Sequence, residues 1–244
     1  MLSKKKCSLS IVSHGQFKLV KNLLSDLDQY SDHICEIILT LNIPEEVRTD
    51  SYKNRIIVLR NQYPIGFGRN HNNAFKKISG DFFFILNPDI RIHSFDFAKF
   101  INILKKENIG VLSPLVLGIN GEIEDHVREF PSFKNLTKRL FVKKIIKNNL
   151  IKNESNIIHN KWIAGMFMAF KSHEYEKLKG FDESFFMYLE DVDICKRILN
   201  QKLSINIDYS NNVVHSAQRD SHKNFKLFFI HFASYCKYFM KWKF

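Results

Sequence analysis

The clearest indication of the fold lies in residues 66–89, which have the sequence GFGRNHNNAFKKISGDFFFILNPD. This stretch begins with Gly66 and Gly68, continues with helical character at 69–78, and then has a strand-length segment at 81–86 that is apolar throughout after Asp81. A short continuous apolar run bounded by turn residues is typical of a buried strand. The stretch therefore predicts a helix followed by a sheet strand, with the turn Asn87-Pro88-Asp89 at the carboxyl end of that strand.

The same pattern continues on both sides of this stretch. Further strands are predicted at 8–13, 35–41, 55–59, 109–117, 162–170 and 203–207. Further helices are predicted at 17–30, 94–106 and 189–199. Helices that alternate with strands predict an α/β domain with a mostly parallel central sheet flanked by helices. Ligands of such sheets bind beyond the carboxyl ends of the strands, where Asn42 and the loops 60–68 and 87–89 are expected.

Length and composition favour one domain with a C-terminal appendage. The chain has 244 residues, of which 45% are hydrophobic, so it can bury one substantial core or two small ones, and one domain is the simpler choice. We expect the domain to span 1–223 and a basic aromatic helix to span 224–244. The four cysteines match no zinc or redox spacing, which is typical of reduced thiols in a cytoplasmic protein. The first apolar run is too short for a signal peptide, and no segment has the length of a membrane span.

A formal net charge of +12 indicates an anionic partner. Nucleic acid, phospholipid headgroups and a phosphorylated small molecule all satisfy that requirement, and charge does not choose among them. The sequence contains no RNP, helix-turn-helix or zinc pattern, so we expect no nucleic-acid partner. The basic segments 138–152 and 224–244 favour an anionic membrane surface.

Residues 182–193 form an acidic island in this basic chain. Its carboxylates are Asp182, Glu183, Glu190, Asp191 and Asp193. Acidic residues at the start of a helix stabilise its positive dipole end, which is one explanation of the island. The other explanation is a catalytic carboxylate, and the local sequence leaves both open.

Three further motifs have both a structural and a functional explanation. Asn87 and Asp89 suit a hard cation at a strand end, but they are also common turn residues. The loop with Gly66 and Gly68 offers backbone N–H groups to an anion, although it is neither a Walker loop nor a Rossmann fingerprint. His215 follows a predicted strand and is either a surface residue or a ligand. The cations near it that could neutralise a phosphate are Arg219 and Lys223.

In this order the motifs resemble the family 2 glycosyltransferases of the GT-A fold, in particular the bacterial rhamnosyltransferase-like branch. The matching segments are PIGFGRNHNNAF, ILNPDI, WIAGMFMAF, GFDESFFMYLEDVDICKR and VVHSAQR. The resemblance covers nearly all of residues 8–221. It implies a GT-A fold with a donor half at about 1–117, an acceptor half at about 118–223 and a C-terminal amphipathic helix.

The resemblance also implies roles for individual residues. Asp191 would be the general base with Glu190 beside it, and Asp89 with His215 would hold a divalent metal, Mg²⁺ or Mn²⁺. The donor-binding residues implied are Ser13, Asn42, Asn61, Gly66, Gly68, Asn70, Asn73, Asn87 and Asp89. The residues implied on the acceptor side are Trp162, Gly165, Asp182 and Glu183.

The implied activity is metal-dependent, inverting transfer of a sugar, with rhamnose as one candidate. The donor would be a nucleotide-diphosphate sugar, and the acceptor a hydroxyl of a growing, lipid-linked bacterial glycan such as lipopolysaccharide or capsule. The enzyme would then lie peripherally on the inner face of the cytoplasmic membrane.

Two departures from the family pattern leave the donor open. The usual Asp-Asn pair after the second strand is Leu41-Asn42, and the usual Thr-x-Asn after the first is Ser13-His14-Gly15. From the residues alone, a retaining mechanism remains open. The alternative from another class is a non-catalytic basic binding protein on a degenerate transferase fold.

Two explanations fit the tail. Its aromatic stripe consists of Phe225, Phe228, Phe229, Phe232, Cys236 and Phe239. A basic helix with such a stripe can lie in a lipid interface, or it can dock the stripe on the domain.

Overall fold

A computed structural model of the chain describes residues 7–132, 157–216 and 225–243, with only the backbone of Phe225 and Lys226. The strands are β1 Cys7–Ser13, β2 Ile34–Leu41, β3 Ile56–Arg60, β4 Phe82–Leu86, β5 Ile90–Arg91, β6 Ile109–Gly118, β7 Val127–Glu129, β8 Lys161–Ile163, β9 Phe167–Lys171 and β10 Ser204–His215. The α-helices are α1 Phe17–Leu27, α2 Phe67–Phe75, α3 Phe97–Leu104, α4 Ser172–Lys177, α5 Glu190–Asn200 and α6 Phe225–Trp242.

Eight strands form one sheet in the order β3-β2-β1-β4-β9-β6-β10-β5. Parallel pairing joins β3 to β2, β2 to β1, β1 to β4, and β6 to β10. The strand β9 runs antiparallel to β4 and β6, and β5 is antiparallel to β10. Strands β7 and β8 form a separate small sheet. The predicted α/β architecture with a mostly parallel central sheet is confirmed.

The apolar run of β4 is explained by a core on each face of the sheet. Phe82 and Phe84 pack in one buried cluster with residues of α1 and α3. Phe83 and Ile85 pack in a second cluster with residues of α5 and α6. Successive side chains of a strand alternate between the faces, so a strand buried on both faces is apolar throughout.

Two differences from the sequence-based expectation matter for the site. The segment predicted as one strand at 162–170 is broken around Gly165 into β8 and β9, which belong to different sheets. The last strand does not end near Ile207 but continues to His215. Its polar residues after Asp208 form an irregularity in the pairing with β6, and pairing resumes at Asn212.

A third difference lies outside the site. The helix expected at 17–30 ends at Leu27, where a 3₁₀ segment follows.

The predicted C-terminal helix is present as α6. Its inner face is buried at Ser234 and Tyr238, while Phe228, Phe229 and Phe232 are exposed. None of the helices within the described ranges is both long and apolar enough to cross a bilayer. The division into donor and acceptor halves stays a prediction.

Candidate active site

The first element of the site is a carboxylate–imidazole pair at one edge of the sheet. Asp89 follows β4, and His215 ends β10. His215 pairs with Ile90 of β5, and Ser216 N–H donates a hydrogen bond to Asp89 O at 2.9 Å. As a result His215 Nε2 lies 3.2 Å from Asp89 Oδ2. Sheet pairing thus brings together the two residues that the sequence proposes as metal ligands.

The donor set of this pair fits a hard divalent cation that is shared with a substrate. Asp89 Oδ1 is buried and has no hydrogen-bond partner within the described part of the chain. Glu124 Oε1 lies 4.0 Å from His215 Nδ1, so a second carboxylate faces the imidazole. Residues 7–132, 157–216 and 225–243 contain no cluster of three His, Cys, Asp or Glu side chains that could hold a metal alone. Mg²⁺ commonly takes its remaining ligands from water and substrate phosphates.

The second element is the pair Glu190–Asp191 at the start of α5. Tyr188 and Leu189, directly before it, have φ angles of 71° and 68°, a conformation that L-residues rarely adopt. Glu190 is buried, and Asp191 is partly buried. The two oxygens of Asp191 accept hydrogen bonds from backbone N–H groups, Oδ2 from Gly165 at 3.0 Å and Oδ1 from Val192 at 2.8 Å.

The loop between β8 and β9 joins the two elements. On one side Gly165 N–H donates to Asp191 Oδ2, and on the other Met166 O accepts from Asn87 N–H at 2.9 Å. Asn87 begins the turn that carries Asp89. A Cβ at position 165 would lie 3.1 Å from the Phe67 ring, which favours glycine there. The segments WIAG, LNPD and LEDVD, separated in sequence, therefore meet at this loop.

Burial determines the electrostatics of Glu190 and Asp191. Burial, and then the negative charge of Asp191, raise the pKa of Glu190 well above its ordinary value. Burial also raises the pKa of Asp191, although hydrogen bonds from Gly165 and Val192 and the charge of Arg128 oppose the rise. Glu190 Oε2 has no hydrogen-bond partner among the described residues, so this environment favours protonated Glu190 beside ionised Asp191.

The glycine loop before α2 packs against the acidic island. A Cβ on Gly68 would lie 2.6 Å from Phe181 Cβ, and one on Gly66 would lie 2.5 Å from Phe186 O. Phe67 N–H, at the start of α2, donates to Phe186 O at 2.9 Å. This N–H group is therefore already bonded, and the structure gives both glycines a packing role. Contact of Gly66 and Gly68 with a donor stays a prediction.

Three asparagines predicted to bind the donor form one amide network. Asn42 Oδ1 accepts hydrogen bonds from Ile65 N–H at 2.9 Å and from Asn61 Nδ2 at 3.1 Å. Asn61 Nδ2 also donates to Asn70 Oδ1 at 2.8 Å, and Asn70 is fully buried. The network ties the ends of β2 and β3 to α2. These residues thus have a scaffold role, and their contact with a donor stays a prediction.

Two other predicted donor residues also have partners within the chain. Ser13 is buried, and its Oγ accepts a hydrogen bond from Gln16 N–H at 3.1 Å. Asn73 Oδ1 accepts one from Lys76 Nζ at 3.1 Å on the surface of α2. Both contacts are local, so neither indicates a ligand.

The outer carboxylates of the acidic island hold neighbouring helices. Asp182 pairs with Lys241 of α6 at 2.6 Å. Glu183 accepts a hydrogen bond from Asn72 Nδ2 of α2 at 3.0 Å. Asp193 is fully buried and pairs with Arg197 at 2.9 Å. These contacts are structural, and an acceptor-side role for Asp182 and Glu183 stays a prediction.

Known proteins are similar to this chain in sequence and in fold. The family model described as the N-terminal domain of galactosyltransferase matches residues 152–216, which include Gly165, Asp191 and His215. The rhamnosyltransferase WbbL of Escherichia coli (strain K12) is 26% identical, with 93% of this chain and 90% of that protein covered.

Similarity to solved structures identifies the fold. GalNAc-T7 with UDP, GalNAc and Mn²⁺ matches with a TM-score of 0.65 at 15% identity, over 90% of this chain and 45% of that chain. The mannosyltransferase PcManGT from Pyrobaculum calidifontis, with GDP-Man and Mn²⁺, matches with a TM-score of 0.60 at 13% identity, over 91% of this chain and 59% of that chain. The chain has the GT-A fold of these structures. It spans about half the length of these two structures.

The structure also places residues at the candidate site that the motifs did not single out. Glu124 faces His215, and His126 Nε2 is buried without a hydrogen-bond partner among the residues described. Burial lowers the pKa of His126 to about 4. The Arg128 guanidinium lies 5.4 Å over the ring of Trp162, a predicted acceptor-side residue whose Nε1–H donates to a backbone carbonyl.

The sequence signal for these residues is weak. Glu124 and His126 lie between β6 and the three-residue strand β7, and Arg128 lies in β7, a segment without regular hydrophobic periodicity. The usable signal is the run of polar side chains at 124–126, shortly after the turn at Asn120-Gly121. Arg219, Lys223 and the basic segment 138–152, which the sequence also nominates, lie outside the described residues.

Proposed function

We propose that this glycosyltransferase homologue moves a sugar from a nucleotide-diphosphate donor to a hydroxyl group, with inversion at the anomeric carbon. The supporting observation is the Gly165–Met166 loop, which bonds Asp191 on one side and the Asn87 turn on the other. Direct displacement needs a base for the incoming hydroxyl and a charge partner for the departing diphosphate, held in a fixed relation. One loop connects the candidates for both tasks.

In the proposed reaction Asp191 takes the proton of the acceptor hydroxyl while the hydroxyl oxygen attacks the anomeric carbon. The bond between that carbon and the diphosphate oxygen breaks, and its electron pair leaves with the nucleotide diphosphate. The raised pKa of Asp191 makes it a stronger base. Protonated Glu190 avoids a second negative charge beside Asp191, and Arg128 favours the ionised form of Asp191.

Asp89 and His215 would hold a divalent cation, Mg²⁺ or Mn²⁺. Two observations support this assignment: the buried Asp89 Oδ1 has no hydrogen-bond partner among the described residues, and both solved structures named above contain Mn²⁺. When bound, the cation would neutralise negative charge on the departing diphosphate.

The sugar and the acceptor are proposed from the similarity of this chain to known glycosyltransferases. Rhamnose is the candidate sugar because WbbL is a rhamnosyltransferase. The nucleotides named with the solved structures differ, UDP in one and GDP-Man in the other, so they leave the base open. The acceptor proposed is a hydroxyl of a lipid-linked bacterial surface glycan.

A donor panel tests the proposal. The purified chain is incubated with UDP-, dTDP- and GDP-sugars and Mn²⁺ or Mg²⁺, and binding, hydrolysis and transfer are measured. We expect one donor class to bind and to be consumed only with metal. Asp191→Asn should lose about 10² to 10⁴-fold in rate and still bind the donor, because removing a general base costs that much. The exposed Asp32→Asn serves as the control.

Three results would contradict the proposal. Near-normal turnover in Asp191→Asn would remove that residue from the base role. If no sugar nucleotide binds or is consumed with metal present, the non-catalytic basic binding protein becomes the better explanation. Retention of anomeric configuration in the product would exclude the inverting mechanism.

We also propose that the protein lies peripherally on the inner face of the cytoplasmic membrane through α6. The outward face of this helix carries Phe228, Phe229, Phe232 and Met240, which are 61–72% exposed. Residues 225–243 include no acidic residue, and Lys243 is exposed, whereas Lys237 and Lys241 bond the acidic island. Exposed apolar side chains near a lysine, with no acidic residue among them, suit an anionic lipid surface. The helix also docks on the domain through its inner face, so the two explanations of the tail are compatible.

Vesicle sedimentation tests this placement. Deletion of 224–244 is unsuitable because it would uncover the core around the buried Tyr238. The triple variant Phe228→Ser, Phe229→Ser and Phe232→Ser changes only exposed side chains and should lose binding to phosphatidylserine vesicles. A matched control replaces the exposed Tyr63, Ile119 and Ile123 by serine. Equal binding of the triple variant and the wild type would exclude the stripe as the membrane contact.

A further inference from the structure

The inner face of α6 holds the acidic island, residues 182–193, at several points. The hydrogen bonds are Ser234 Oγ to Met187 O (2.8 Å), Lys237 Nζ to Ser184 O, Lys241 Nζ to Asp182 Oδ2 (2.6 Å) and Trp242 Nε1 to Asp193 Oδ1 (3.1 Å). These contacts lie on both sides of Glu190 and Asp191 in the sequence. The helix therefore fixes the backbone before and after the candidate base.

Lys241 is the centre of a balanced charge network. Its Nζ lies 2.6 Å from Asp182 Oδ2 and 2.7 Å from Asp193 Oδ1. The other oxygen of Asp193 pairs with Arg197 at 2.9 Å, and Asp193 is fully buried. Two carboxylates are thus matched by two cations. Removing one partner from a buried ion pair is strongly destabilising locally, so the network depends on Lys241.

The segment between these contacts contains a costly backbone conformation. Tyr188 and Leu189 are successive non-glycine residues with φ of 71° and 68°. Such residues persist only where the surrounding structure determines them, and they cluster at functional sites. Ser234 bonds the carbonyl of Met187, and the His231 ring lies 4.6 Å from the Tyr188 ring. The helix α6 therefore contacts this turn directly, immediately before Glu190.

We propose that Lys241 and Ser234 are positioning residues for the candidate base Asp191. They hold the left-handed turn, and the turn sets the start of α5 so that Asp191 Oδ2 stays on Gly165 N–H and Glu190 stays buried. This inference rests on the function proposed above. Neither residue contacts Asp89 or His215, so the proposed cation site should not depend on them.

Kinetics of the full-length chain provide the first test. In Lys241→Met and Ser234→Ala we expect kcat to fall roughly 10- to 100-fold, because a displacement of about 1 Å at a reacting group can cost that much. The KM for the donor should stay within about twofold of the wild type, since the cation pair is unaffected. Lys241→Arg should restore most of kcat. Lys243→Met, an exposed lysine of the same segment, is the matched control.

Amide hydrogen exchange provides a second test that does not need activity. The N–H groups of Gly165 and Val192 both donate to Asp191, so their exchange reports its position. We expect Lys241→Met to accelerate exchange at both about tenfold or more, while the amides of β1 are unchanged.

Three outcomes would overturn the inference. Unchanged kcat and unchanged exchange in folded Lys241→Met would show that the contacts of Lys241 with the acidic island are not needed to position Asp191. Equal acceleration in β1, or a parallel loss of kcat and donor affinity, would show that α6 only stabilises the whole fold. If the wild type transfers no sugar, the proposed function fails, and the exchange of Gly165 and Val192 still decides whether α6 positions Asp191.

Discussion

The Asp89–His215 pair and the acidic island are built in different ways. The pair lies at strand ends, and the pairing of β10 with β5 and β6 sets its geometry. No described residue of the island lies in a strand, and side chains of α2 and α6 hold it around a left-handed turn. A sheet register is fixed by many backbone bonds, whereas the island depends on a few contacts that one substitution can remove. We therefore expect the two regions to respond differently to mutation.

The largest expected effect is a loss of kcat, and its dependence on the metal concentration should differ between the two regions. Asp89→Asn and Asp191→Asn should each lower kcat by about 10² to 10⁴-fold, the first through the lost charge partner and the second through the lost base. Raising the Mn²⁺ concentration should partly restore Asp89→Asn and leave Asp191→Asn unchanged. The measurement is the initial rate as a function of Mn²⁺, with Asp32→Asn as control. An identical metal response of the two variants would contradict the division of roles.

A smaller effect is expected where α2 meets the island. A Cβ on Gly68 would lie 2.6 Å from Phe181 Cβ. Gly68→Ala should therefore lower the free energy of unfolding by about 1–3 kcal/mol, as overpacking does. This outweighs the gain of about 1 kcal/mol that alanine brings to a helix interior.

Urea unfolding measures this difference, and the affinity for Mn²⁺ should not change because the atoms nearest the added Cβ belong to Phe181 and not to Asp89 or His215. Asn73→Ala, on the surface of the same helix, is the control and should change stability little. A stable Gly68→Ala protein with normal turnover would show that the close contact with Phe181 is not required.

The two regions also differ in how far the sequence could predict them. The strands β1, β2 and β4 were predicted closely because their apolar runs are continuous. Asn87 and Asp89 were placed at a carboxyl edge for the same reason. The pairing of His215 with β5 could not be predicted, because the mostly polar residues 208–212 have the pattern of a loop that ends the strand before His215.

The sequence also did not predict which face of α6 docks on the domain, because that face includes polar side chains. Hydrophobic spacing selected the Phe stripe, yet Phe228, Phe229 and Phe232 are exposed. On the face that docks, Ser234 and Trp242 donate hydrogen bonds to the island, and Tyr238 is buried in the core. A hydrophobic pattern does not distinguish a face that packs from one that packs and also forms hydrogen bonds. The contacts of the island are tertiary, so only the structure could supply them.

The smallest expected effect is a change in how stability depends on pH. Burial and the charge of Asp191 raise the folded-state pKa of Glu190 above its ordinary value of 4.5. The folded protein therefore binds the Glu190 proton more tightly than the unfolded chain does. The stability that this proton provides is fully present below pH 4.5 and is lost as the pH rises through the folded-state pKa.

Glu190→Gln keeps the size of the side chain and cannot ionise. Relative to the wild type, its free energy of unfolding should therefore increase as the pH is raised above 4.5, and the difference should level off above the folded-state pKa. Urea unfolding over a pH series measures it, and Glu176→Gln, an exposed residue of α4, is the matched control. Parallel stability curves for Glu190→Gln and wild type would mean that Glu190 is not held protonated. In that case Asp191 would lie beside a second negative charge. The acidic island would still differ from the Asp89–His215 pair in its strained turn and in the contacts that hold it, but not in its electrostatics.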